Sequence, residues 1–212
     1  MLLTYDFLKA PKPDSKFLES FSTLSNDRYI KHKYCFRKRA FAKGIVDNNL
    51  NIQESDDTEF CQDERINKYL GGIKRIYPKA TTHCINYAIS LLSANSNMCR
   101  AIVFKGINKI GIHQIRITAQ DTNEGYPVPE GHHQDGVEFV IIVPIQSYNI
   151  VGGIHSIRHG SQDGPEILDR PVSPSEALIL NDRHVFHYAS PVFAKYSALE
   201  GYRDSIVITL SF

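Results

Sequence analysis

Several common features are missing from this 212-residue sequence, and each absence narrows what the chain can be. No stretch approaches the roughly 18 consecutive apolar residues that a membrane helix needs. The opening residues, MLLTYDFLKAPKP, show no basic leader followed by a long apolar core, so no signal peptide is expected. An excess of charge is also lacking. The net charge of +1 gives no reason to expect nucleic acid or an anionic membrane as partner. There is no low-complexity tract and no repeat of fixed period. The four cysteines, Cys35, Cys61, Cys84 and Cys99, have no CxxC spacing. Without an export signal, that pattern points to reduced thiols in a cytoplasmic protein.

The length fits one domain, 1–212, with enough residues to bury a core. Residues 1–99 read as helical or mixed support. Asp14 or Ser15 can cap a helix that puts Phe17, Leu18, Phe21 and Leu24 on one face. A second helix is expected from Thr81 or Thr82 through Cys84, Tyr87, Ala88, Leu91 and Leu92. The basic stretch KHKYCFRKRAFAK, residues 31–43, is read as a solvated strand or helix face. Gly71-Gly72 reads as a turn.

From about residue 100 the texture changes to short apolar or alternating runs broken by Gly, Pro, Asn and Asp. These are AIVFKGI, KIGIHQIRITA, VEFVIIVPI, GGIHSIRH, EALILND, HVFHYASPV and RDSIVITLSF. Such spacing predicts a mainly β sandwich or barrel, with the earlier helices packed on an outer face. Gly152-Gly153 fits a bulge or a close backbone approach.

Chemistry concentrates in PEGHHQDGVEFVIIVPI, residues 129–145. In an extended chain the side chains at i and i+2 point the same way, so His133 and Asp135 can reach one ion while Gln134 points away. His132 is out of that register. A second predicted strand, about fifty residues on, supplies His187; it is preferred to His184, which adjoins the NDR turn. Two histidines and a carboxylate gathered from adjacent strands make a facial triad with open positions, the arrangement of non-haem Fe(II) sites. Zinc hydrolases use similar ligands, but the HExxH helix signature is absent. Arg203 opens the last strand sixteen residues after His187, where a guanidinium can grip a carboxylate bidentately.

The order HxD, distal His, Arg in an all-β half resembles the 2-oxoglutarate/Fe(II)-dependent dioxygenases. The phrases FCQDERINKYLGGIKRIYP, IGIHQIRITA, PVPEGHHQDGVEFVIIVPI, NIVGGIHSI and RHVFHYASPV resemble the branch of the L-isoleucine dioxygenase type, whose members hydroxylate free amino acids. The resemblance spans roughly residue 30 to the C-terminus. It implies a double-stranded β-helix, a cupin-like jelly roll, with Fe(II) held by His133, Asp135 and His187 and 2-oxoglutarate anchored by Arg203. It also implies hydroxylation of a free L-amino acid by dioxygen, with 2-oxoglutarate decarboxylated to succinate and CO2. The presence of Asp135 favours hydroxylation over halogenation.

For the substrate pocket, two orientations of HQIRITA are open. Either Gln114, Arg116 and Thr118 line the barrel, with Arg116 holding a substrate carboxylate, or His113, Ile115 and Ile117 face inward. Arg158 shares a face with Ser156, and either lines the pocket or decorates an edge. Two other functions stand beside the amino-acid hydroxylase. One is an oxygenase acting on a peptide or protein side chain. The other is a cupin-like protein that binds a metal or small acid without turnover.

Overall fold

A computed structural model describes residues 4–67 and 69–212. Residues 1–3, part of the stretch read for a signal peptide, and position 68, within FCQDERINKYLGGIKRIYP, lie outside the described residues. No helix among those described is long and apolar enough to cross a membrane.

The N-terminal part begins with β1 (Tyr5–Lys9) and α1 (Ser15–Ser20), which a 3-10 turn extends over Phe21–Thr23. The Asp14 carboxylate caps α1 by accepting from the Phe17 N–H at 2.8 Å. Next come β2 (Arg37–Val46), β3 (Ile52–Glu54), β4 (Glu59–Phe60) and β5 (Arg75–Ile76). The second helix, α2 (Thr82–Ala94), starts where expected, with the Thr81 hydroxyl accepting from the Cys84 N–H. Its buried face carries Cys84, Tyr87, Ala88, Leu91 and Leu92, and Tyr87 stacks on Phe17 of α1 at 4.6 Å.

The expected strand AIVFKGI is instead the end of a third helix, α3 (Ser96–Val103). Cys99, Ile102 and Val103 are buried and Arg100 is exposed, a helical spacing that a short apolar run conceals.

The remaining strands are β6 (Lys109–Ala119), β7 (Phe139–Tyr148), β8 (Ile150–Gly152), β9 (His155–His159), β10 (Glu166–Arg170), β11 (Glu176–Asn181), β12 (Val185–Ala189), β13 (Val192–Ala194) and β14 (Gly201–Ser211). Seven strands form one antiparallel sheet in the order β1-β11-β7-β14-β6-β2-β3. A small sheet, β10-β9-β12, and two strand pairs, β13-β8 and β4-β5, complete the β structure. The fold is mainly β, a jelly roll with helices outside, as expected. Residues before 100 do more than support it: β1, β2 and β3 belong to the large sheet.

The large sheet is buried on both faces. On one side Ile141, Val143, Ile206 and Ile208 share a core with α1, α2 and α3. On the other, Val140, Ile142, Leu178 and Leu180 meet Ile157 and Val185 of the small sheet. This explains the unbroken apolar run in β7: alternate residues serve different cores, so neither face is polar. The HxD segment sits just before that strand, at the mouth of the space between the two sheets.

A candidate iron centre and its cavity

His133 lies in the loop before β7 and is stitched to β12 by a pair of backbone hydrogen bonds. Its N–H donates to the His187 carbonyl at 3.1 Å, and the His187 N–H donates to the His133 carbonyl at 2.9 Å. The two imidazoles are thereby brought to 4.3 Å between ring centres. Nδ1 of His133 lies 3.2 Å from the Gly131 carbonyl. That carbonyl requires a proton on Nδ1, which leaves Nε2 as a free lone pair. Nε2 of His133 is 3.8 Å from Asp135 Oδ1, and Nε2 of His187 is 3.5 Å from Asp135 Oδ2. The three potential donor atoms all lie within 4.8 Å of one another. Gln134 points away, donating to the Asp182 carbonyl.

Asp182, in the turn after β11, fixes the loop. Its buried carboxylate accepts from the backbone N–H groups of Asp135 (2.9 Å), Gly136 (2.8 Å) and Val137 (3.2 Å). Gly136 has φ 81°, the left-handed turn that lets the chain fold these three amides around one carboxylate. Nothing in the sequence singled out Asp182, because its three partners lie 45 to 47 residues away. Asp182→Ala leaves three part-buried donors without their acceptor, at about 1 kcal/mol each. The expected result is an unfolding free energy lowered by about 3 kcal/mol in denaturant titration and metal affinity reduced about 10- to 100-fold. A variant as stable as the parent would contradict this role.

A cavity of about 120 Å³ opens beside the triad. The large sheet contributes the odd-numbered residues of β6, His113, Ile115 and Ile117, together with Ser205 and Val207 of β14. Of the two orientations of HQIRITA, the one with His113 and the isoleucines inward is found. Gln114 and Arg116 are not brought to the cavity, which corrects the reading of them as substrate residues. Gln114 donates to the Ser20 hydroxyl at 2.7 Å, on the helix side. Arg116 grips Asp204 through two hydrogen bonds of 2.6 and 2.7 Å and lies over the Tyr202 ring. Arg158, on the central strand of the small sheet, donates to the Gln162 carbonyl in the turn after β9 and does not line the cavity either. His132 meets the Ser156 hydroxyl at 2.8 Å, and His184 sits exposed in its turn.

Arg203 does line the cavity. It is buried, and its Nη2 lies 2.5 Å from Nε2 of His155. Gly153 packs against it: a Cβ there would stand 3.3 Å from the Arg203 Cδ, which is the close approach expected of the Gly pair. Burial pushes the Arg203 guanidinium down to about 10, so it stays charged at neutral pH. Burial, and then the neighbouring guanidinium, hold His155 well below the usual imidazole range. His155 is therefore a neutral acceptor that holds Arg203 without cancelling its charge.

Only the first part of the basic segment is a solvated face: Lys31, His32 and Lys33 are exposed. Arg37 and Arg39 of β2 are buried toward the cavity, Arg37 in an ion pair with Asp27 at 2.8 Å. Further along the wall, Gln62 donates to Asp135 Oδ1 at 3.0 Å and accepts from Arg75 at 3.0 Å.

The model of the 2OG-Fe dioxygenase family matches residues 18–209. The chain belongs to the 2OG-Fe dioxygenase family. No curated protein matches. Solved structures with the same fold include a BsmA homologue from Methylobium petroleophilum PM1, 24% identical, with TM-score 0.77 over 92% of this chain and 79% of that one. IDO from Bacillus thuringiensis is 17% identical, with TM-score 0.72 over 93% and 82%. The Fe(II)/α-ketoglutarate-dependent dioxygenase TqaL is 14% identical, with TM-score 0.61 over 98% and 82%. At these identities the likeness concerns the fold.

The cofactors of this dioxygenase family are Fe(II) and 2-oxoglutarate, and the residues present suit both. His187 Nε2 is buried without a hydrogen-bond partner, beside a carboxylate and a second imidazole, which is the donor set of a facial triad. Burial alone would raise the Asp135 carboxyl. His187 and then His133 overcome that effect and hold it well below the usual range, so it is ionised, as a ligand must be. The uncancelled charge of Arg203 suits a dicarboxylate's far end.

Proposed function

We propose that His133, Asp135 and His187 hold Fe(II), that Arg203 takes the distal carboxylate of 2-oxoglutarate, and that the enzyme hydroxylates a free L-amino acid. The bound iron, with 2-oxoglutarate and dioxygen, would supply the oxidising power for C–H hydroxylation, with release of succinate and CO2. The observation that carries the reading is the pairing of an orphaned His187 Nε2 with an un-neutralised guanidinium in one cavity. Asp182 and the His133–His187 bridge keep the donor atoms in place before any ion arrives. Ile115, Ile117, Ile142 and Val207 make an apolar wall that limits water at the reacting centre. The small volume of the cavity and its basic lining favour a small acid over a protein side chain, which would require a broad groove.

A mass-spectrometric screen of the proteinogenic amino acids, with Fe(II), 2-oxoglutarate and air, is expected to find one that gains a single oxygen as succinate forms. Hydroxylation of peptides but of no free amino acid would overturn the substrate assignment. Absence of Fe(II)-dependent succinate would leave the cupin-like binding protein as the better reading.

A further inference from the structure

The cavity holds more positive charge than 2-oxoglutarate needs. Among the described residues, Arg37 pairs with Asp27, Arg116 with Asp204 and Arg183 with Glu138. Arg39 and Arg75 have none. Arg39 is buried, with Nη2 2.5 Å from Nδ1 of His113 and its Cζ over the rings of Tyr77 (4.6 Å) and Phe60 (5.2 Å). Arg75 is almost fully buried, its side chain donates to Gln62, and its Cζ lies 4.7 Å from the centre of the same Phe60 ring. The Nε of each lacks a partner.

Burying an unpaired charge is costly, and a chain keeps one where a ligand supplies the missing partner. The pair Arg39–His113 repeats the design of Arg203–His155. In each, a neutral imidazole accepts one N–H, fixes the guanidinium and leaves its charge available. The two pairs belong to different walls, since His113 is on β6 of the large sheet and His155 on β9 of the small one. One dicarboxylate with its keto-acid end on the metal needs only one of them.

A lone carboxylate stands near the second pole. Glu130 lines the cavity and forms no ion pair among the described residues. Asn67 donates to its Oε1 at 3.2 Å and to Gln62 Oε1 at 3.1 Å. A hydrogen-bonded chain thus runs Glu130–Asn67–Gln62–Arg75, and Gln62 also touches Asp135.

We propose that Arg39 and Arg75 bind the α-carboxylate of the substrate and Glu130 its ammonium group, so that the site recognises the zwitterionic head of an α-amino acid. The proposal rests on the amino-acid reading above and names the residues that carry it. Gln62 is then a positioning residue, linking the head-group site to the Asp135 carboxylate. The side chain of the substrate is left to the apolar wall.

Binding tests this without turnover. Ligand-observed NMR of the metal-free protein, with the proteinogenic amino acids and separately with their α-amides as probes, should find at least one acid bound. Its amide should bind about 30-fold or more weakly. Arg39→Gln and Arg75→Gln should each reduce that acid-over-amide preference to within about threefold, and Glu130→Gln should do the same for the acid over its des-amino analogue. Neither arginine variant should melt lower than the parent, since each removes an unpaired buried charge; a guanidinium kept for packing would show the opposite. The proposal is overturned if acid and amide bind the parent equally, if no amino acid binds, or if the preference survives in both variants. Binding with no Fe(II)-dependent succinate would instead count against the oxygenase assignment while supporting the head-group site.

Discussion

His187→Ala is expected to weaken Fe(II) binding by well over 100-fold and to abolish Fe(II)-dependent formation of succinate. Loss of a group that only orients a ligand already reduces metal affinity about 10- to 100-fold, and His187 is argued to be a ligand itself. Its buried Nε2 has no hydrogen-bond partner and faces the Asp135 carboxylate at 3.5 Å, the environment of a metal ligand. His133→Ala should behave similarly. The backbone bridge between positions 133 and 187 survives both changes, because it uses main-chain groups alone. His184→Ala is the control: that side chain is exposed in the turn before β12 and should leave metal binding unchanged. Anaerobic titration with Fe(II), or with Mn(II) as a redox-stable substitute, reads the effect directly. Parent-like affinity in His187→Ala would remove it from the ligand set.

The second large effect is expected at Arg203. Truncating one partner of a buried, charged hydrogen bond costs about 2–5 kcal/mol, so Arg203→Leu should raise the KM for 2-oxoglutarate about 30-fold or more. Arg203→Lys keeps a charge but loses the planar fork, and should fall between the parent and the leucine variant. A structural role predicts something different. Among the described residues Arg203 has no carboxylate partner and its guanidinium meets neutral His155, so its loss should not lower the melting temperature. An unchanged KM together with a lower melting temperature would reassign Arg203 from ligand binding to packing.

The clustering of His133, Asp135 and His187 was the most legible part of the sequence, because much of its signal is local. His133 and Asp135 are two residues apart, and the apolar run after them announces a rigid strand. Helix caps at Asp14 and Thr81 were readable for the same reason. What escaped was set by partners far along the chain. Arg116 looked available until Asp204, 88 residues on, was seen to neutralise it. Arg39 looked solvated because its segment is rich in charge, yet the two-residue period of β2 turns Arg37 and Arg39 inward together. Its companion His113 is 74 residues away on the neighbouring strand. The inward face of β6 was ambiguous because the sheet has two buried sides, so polar and apolar residues alternate without marking solvent. The run AIVFKGI reads equally as strand or helix, since so few apolar residues carry either period unambiguously, and its first three residues close α3.

The most direct test is crystallographic: an anomalous difference map from crystals loaded anaerobically with Fe(II) or Mn(II) in the presence of 2-oxoglutarate. The account predicts one strong peak bonded to His133, Asp135 and His187, with the co-substrate's distal carboxylate on Arg203. A peak elsewhere, or a dicarboxylate bound without contact to Arg203, would contradict it.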